Sequence, residues 1–96
     1  MALTQQNIRQ LRGLAHKLKS VIILGKAGFS ESVMNELDIA LTHHELIKIK
    51  LNEADKTNRN KLIDQITQKT KADVVQTIGH VLVIYRPSDN KVIELQ

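Results

Sequence analysis

The chain of 96 residues has no cysteine, no tryptophan, one tyrosine, one phenylalanine, one proline and four glycines. Without cysteine there can be no disulfide framework and no thiolate metal site, and a reducing compartment is expected. With only Phe29 and Tyr85 as aromatics, a sheet that stacks bases on several aromatic rings is disfavoured. No apolar run approaches the length of a membrane span. The opening Met1–Gln6 lacks the basic and apolar regions of a signal peptide, so a cytoplasmic location and no membrane partner are expected. Acids are absent before Glu31, whereas Arg9, Arg12, Lys17, Lys19 and Lys26 all precede it. The net charge of +4 is therefore concentrated in the first third of the chain, which points to a polyanionic partner.

That basic segment surrounds Gly25-Lys26-Ala27-Gly28, which follows the apolar run Val21–Leu24 and precedes a helix start at Ser30. Two glycines around a two-residue tip permit a sharp turn and a close backbone approach to a ligand, because no Cβ intervenes. Amides at the following helix start favour a negative group, and Lys26 adds a full positive charge. The arrangement suits a phosphate or a stretch of nucleic-acid backbone. A dinucleotide fingerprint would need a third glycine and an acid after the next strand, and a nucleoside-triphosphate loop would need a glycine five positions before a Lys-[Ser/Thr] pair. Neither is present.

The length fits one domain, residues 1–96, with a core over about 4–86 and a short tail over 87–96. Thr4 caps a first helix to about Lys19, with Ile8, Leu11, Ala15 and Leu18 on its buried stripe and Arg9, Arg12, His16 and Lys19 beside it. Val21–Leu24 reads as a strand buried on both faces. Ser30 caps a second helix to about Thr42, packed through Val33, Leu37, Ala40 and Leu41, and Phe29 and Met34 have the spacing of a hydrophobic staple. The His43-His44-Glu45 segment is the turn out of this helix.

Ile47–Leu51 alternates, giving one apolar face and one face of Lys48 and Lys50. A third helix follows from about Thr57 to Thr70, with Leu62, Ile63 and Ile66 inward. Strands over Asp73–Ile78 and Val81–Arg86 are separated by Gly79-His80, which suits a type II′ turn. The tail containing Val92, Ile93 and Leu95 is expected to add an edge strand. The order is α-β-α-β-α-β-β, an α/β class with a two-layer mixed four-stranded sheet. Its helix-linked strands should be parallel and its last pair antiparallel.

Adjacent residues point in different directions, so His43, His44 and Glu45 read as capping or packing rather than a metal site. Ser30 has no histidine at a motif distance and reads as a cap. No catalytic residue, cofactor, metal or small-molecule substrate is expected, and the chain reads as a non-enzyme. A hydrolase using the loop as an anion hole would have only His16 to offer as a base.

Leu18-Lys19, Val21–Gly28, His43–Lys48 and Val75–His80, in that order and spacing, resemble the CRM (chloroplast RNA splicing and ribosome maturation) family, particularly its stand-alone bacterial YhbY-type members. The likeness covers roughly Leu11–Arg86. It implies an RNA-binding module with a fold like the C-terminal domain of translation initiation factor 3, associated with large-subunit (pre-50S) ribosomal precursors. The family's loop carries over to Gly25, Lys26, Ala27 and Gly28. Phe29 stands where an aliphatic residue is expected, leaving staple and stacking roles both open. The expected RNA contacts are these four loop residues with Arg9, Arg12, Lys17, Lys19, Lys48 and Lys50, on a monomer. The alternative is a protein-interaction adaptor that docks on a ribosomal protein or translation factor.

Overall fold

Each helix begins where a side chain can satisfy its first free amides. In the computed structural model, which describes residues 3–18, 22–24 and 30–95, α1 (Gln5–Ala15) starts at a reciprocal cap. The Asn7 amide donates to Thr4 Oγ1 at 3.0 Å, and the Thr4 amide donates to Asn7 Oδ1 at 3.2 Å. Ser30 Oγ accepts from the Val33 amide at the start of α2 (Glu31–His44). Asp55 Oδ1 accepts from the Thr57 and Asn58 amides at the start of α3 (Lys56–Thr70). The helices α2 and α3 end at positive φ, on Glu45 (64°) and Lys71 (61°).

Four strands complete the fold: β1 (Ile22–Leu24), β2 (Leu46–Leu51), β3 (Asp73–Ile78) and β4 (Val81–Tyr85). Their order across the sheet is β1-β2-β4-β3. The first pair is parallel, and β4 lies antiparallel to both β2 and β3. Thus β3 runs in the same direction as β2, as a helical crossover requires. Gly79 has φ 54° while His80 is not among the positive-φ residues, the pattern of the expected type II′ turn.

The pleat of β2 divides the molecule. Ile47, Ile49 and Leu51 point into a core with Ile22, Leu24, Leu82 and Ile84, closed by Leu37, Ala40 and Leu41 of α2 and Ile66 of α3. Both crossover helices therefore share one face. Leu46 points the other way, joining Val83, Tyr85 and Val75 beneath Leu11 and Ala15 of α1. The sheet with its crossover helices accounts for the expected two layers, and α1 with the tail adds a third on the opposite face. That helix hides its stripe here because α2 and α3 already fill the other side.

Four sequence expectations change. The first helix, expected to reach about Lys19, ends at Ala15, so Leu18 packs from beyond its end. The Val21–Leu24 run was expected to be buried on both faces, yet β1 is an edge strand: Ile22 and Leu24 are buried while Ile23 is 61% exposed. Its apolar composition serves one face, and α1 does not extend over the other. His43 and His44 belong to the last turn of α2 rather than to the turn after it. The tail forms no strand among residues 87–95; instead a buried carboxylate accepts from two of its amides, those of Ser88 and Ile93.

That carboxylate is Glu45, 1% exposed. Its Oε2 accepts from the Ser88 amide (2.6 Å) and hydroxyl (3.2 Å), and its Oε1 accepts from the Ile93 amide (2.6 Å). Its backbone carbonyl accepts from the Arg86 amide. Ile93 and Leu95 are thereby held against the α1-side core. Burial raises the Tyr85 hydroxyl pKa above its ordinary value, and the nearby Glu45 charge raises it further. Glu45→Ala strands at least two partly buried amides and is expected to cost about 2 kcal/mol. A lower melting temperature with early proteolysis of the tail would check this, and an unchanged melt would refute it.

Candidate nucleic-acid interface

The glycine turn itself, Gly25, Lys26, Ala27 and Gly28, lies outside the described residues, as do Lys19 and Phe29. Both of its anchors are described. On one side, the Leu24 carbonyl at the end of β1 accepts from the Asn52 amide at 2.7 Å. On the other, Ser30 caps α2, whose amino-terminal dipole end favours a negative group. The same end of the sheet is tied across its width. The Leu51 amide donates to the His80 carbonyl at 2.7 Å, and His80 Nδ1 lies 3.0 Å from the Leu51 carbonyl. The ends of β1 and β2 and the β3–β4 turn thus form one braced edge from which the chain enters Gly25.

The described basic residues of the expected site fall on one side of the sheet. Arg9, Arg12 and Lys17 are exposed on α1 or just beyond it, and Arg9 and Arg12 border one shallow depression with Gln5 and Ile8. Lys48 and Lys50 alternate with the buried isoleucines of β2 and so point to the α1 side. Lys48 is half-buried, and its Nζ donates to the Leu18 carbonyl at 2.9 Å. One ammonium therefore steadies the carboxyl end of α1, next to Lys17, which makes Lys48 a supporting residue as well as a charge. Lys50 is exposed.

Arg9, Arg12, Lys17 and Lys50 make no ion pair within the described residues. Arg86 is the contrasting case: its guanidinium meets Asp38 Oδ1 at 2.7 Å and also donates to the Thr70 carbonyl and Thr42 hydroxyl. Alternation along β2 had marked Lys48 and Lys50, but the Leu18 contact had no sequence signal, since the two residues are thirty positions apart. The role of Glu45 was also missed. An acid just after a helix end, before an apolar strand, was its only hint.

His43 and His44 are exposed at the carboxyl end of α2. His44 also borders an apolar groove lined by Leu14, Leu18, Leu46, Val92 and Ile93. No helix among the described residues is long and apolar enough to cross a membrane.

Comparison with known proteins decides the family. The model of the CRS1 / YhbY (CRM) domain matches residues 3–86, from before α1 to Arg86. The chain belongs to the CRS1 / YhbY (CRM) family. Similar chains include a Haemophilus influenzae protein named "RNA-binding protein", 51% identical over 85 residues, 88% of this chain and 86% of that one. A Pseudomonas aeruginosa relative is 42% identical over 93 residues, covering 95% and 89% of the two chains. The solution structure of a Staphylococcus aureus protein superposes with a TM-score of 0.82 at 35% identity, covering 99% of this chain and all of that one. The CRM match spans both faces of the sheet and includes Glu45, whereas the tail that Glu45 holds lies beyond it.

Proposed function

We propose that this protein binds RNA, specifically ribosomal RNA during assembly of the large subunit (pre-50S particles), acting as a cytoplasmic monomer and not as an enzyme. The observation that carries the reading is the set of unpaired cations on the α1 side of the sheet: Arg9, Arg12, Lys17 and Lys50. The family and the name of the Haemophilus relative support RNA as the polyanion. In this reading the Gly25–Gly28 turn offers backbone amides to a phosphate, with the α2 dipole behind it. Lys26 pairs with a phosphate at the tip. The α1 cations and Lys19 extend the contact along the backbone and set orientation rather than sequence.

Sedimentation of tagged protein from lysate tests the ribosomal part. Co-migration with large-subunit precursors at low salt, with release at high salt, is expected; migration only at the top of the gradient at both salts would refute it. Lys26→Ala should weaken RNA binding by about fivefold, as one exposed phosphate contact is worth about 1 kcal/mol in water, with an unchanged melt. Affinity equal to the wild type would remove Lys26 from the site.

One observation favours a second reading, docking on a ribosomal protein or translation factor. The groove between α1 and the tail exposes Leu14 (39%) and Val92 (53%). Binding through it would persist at high salt.

A further inference from the structure

The strand registers bring four side chains into one transverse row. Ile23 of β1 pairs with Lys50 of β2, Lys50 with Val81 of β4, and Val81 with Ile78 of β3. Paired residues in a sheet point to the same face, and Val81 packs against the α1-side core, so all four lie on the α1 side. The row is not covered by α1. Ile23 is 61% and Ile78 63% exposed, Lys50 is exposed and Val81 half-buried. With strands about 4.8 Å apart, the row crosses about 14 Å.

We propose that this row is a platform for the bases of unpaired RNA, so that the protein reads single-stranded nucleotides rather than duplex. The inference rests on the RNA-binding reading and names its substrate class. Three features favour this occupant. The row holds two widely exposed isoleucines that gain by covering apolar base faces, and those faces are available only where bases are unstacked. Its one charged member, Lys50, is a cation, and the one acid among the paired strand residues, Asp73, lies at the far end of β3 from Ile78, which suits a polyanion at the row. It is also continuous with the loop: Leu24 follows Ile23, and the chain then enters Gly25. Backbone held at the turn could therefore lay its next bases across the sheet end. Tyr85 is buried in the core beneath α1, so the four side chains of the row carry no aromatic ring.

The test compares a pyrimidine-rich single-stranded oligoribonucleotide with a duplex of equal length, using the full chain as wild type, the double variant Ile23→Ser/Ile78→Ser, and Ile78→Leu. Exposure of both isoleucines means that the double variant should melt like the wild type. The wild type should prefer the single strand by about tenfold, the difference that about 1.4 kcal/mol of apolar contact supplies. The double variant should lose that preference while keeping its duplex affinity and salt dependence, and Ile78→Leu should retain it. Equal wild-type affinity for the two RNAs would overturn the platform while leaving RNA binding intact. So would a double variant that binds the single strand normally, an outcome that would assign the row to a protein partner. If the wild type binds neither RNA, the RNA reading itself fails and the platform with it.

Discussion

Gly28→Asp should lower RNA affinity by at least about tenfold while leaving the melting temperature unchanged. The substitution places a carboxylate where the loop is proposed to receive a phosphate. Two like charges about 4 Å apart repel by about 1 kcal/mol in water and about 4 kcal/mol at the effective dielectric of a protein surface. The substitution also adds a Cβ, which would oppose the close backbone approach proposed for this position. Stability should be indifferent, because the two described cores are built from helix, strand and tail residues. Binding to a ribosomal RNA fragment, measured beside a thermal melt, separates the outcomes. A folded variant with wild-type affinity would show that the loop is not the site.

Ile66→Ala and Leu37→Ala should have the opposite profile, each costing about 2–5 kcal/mol of stability. Both side chains are fully buried in the core between the sheet and the crossover helices. Truncation removes apolar surface that had been withdrawn from water and leaves a cavity that the packed strands can only partly close. A domain of this size has a total stability of roughly 5–15 kcal/mol, so either change takes a large share of it. Chemical denaturation would read the effect as a lower midpoint. RNA affinity per folded molecule should stay at the wild-type level. A loss below about 1 kcal/mol would mean that the core relaxes around the missing atoms.

Much of the fold was legible because local signals and burial agree. Thr4 and Ser30 cap where the sequence marks a helix start, and Leu37, Ala40, Leu41 and Ile66 are buried at helical spacing. Alternation in Ile47–Leu51 gave the two faces of β2 correctly. What a linear pattern does not carry is which strand lies at an edge and which helix covers which face. That is why Val21–Leu24, an unbroken apolar run, reads as doubly buried although Ile23 faces outward beyond α1. The same limit hid the row formed with Ile78, since it depends on pairing residues far apart in sequence.

The tail shows a second kind of miss. Val92, Ile93 and Leu95 suggested another strand, but Glu45 reaches across from the end of α2 and takes the Ser88 and Ile93 amides. A side chain that captures backbone donors at long range leaves no periodic trace. Among the candidate site residues, charge bias picked out Arg9, Arg12 and Lys17, with helical spacing supporting the first two, and the structure places them on the same side of the sheet as Lys48 and Lys50. Lys48 turned out to have a structural duty as well, at the Leu18 carbonyl.

A basic surface that neutralises RNA phosphates shows itself most directly in the salt dependence of RNA affinity. If about four phosphates are contacted, log affinity against log salt for single-stranded RNA should fall with a slope near −3. A slope near zero would contradict the account and leave the apolar groove between α1 and the tail as the better candidate for the binding surface.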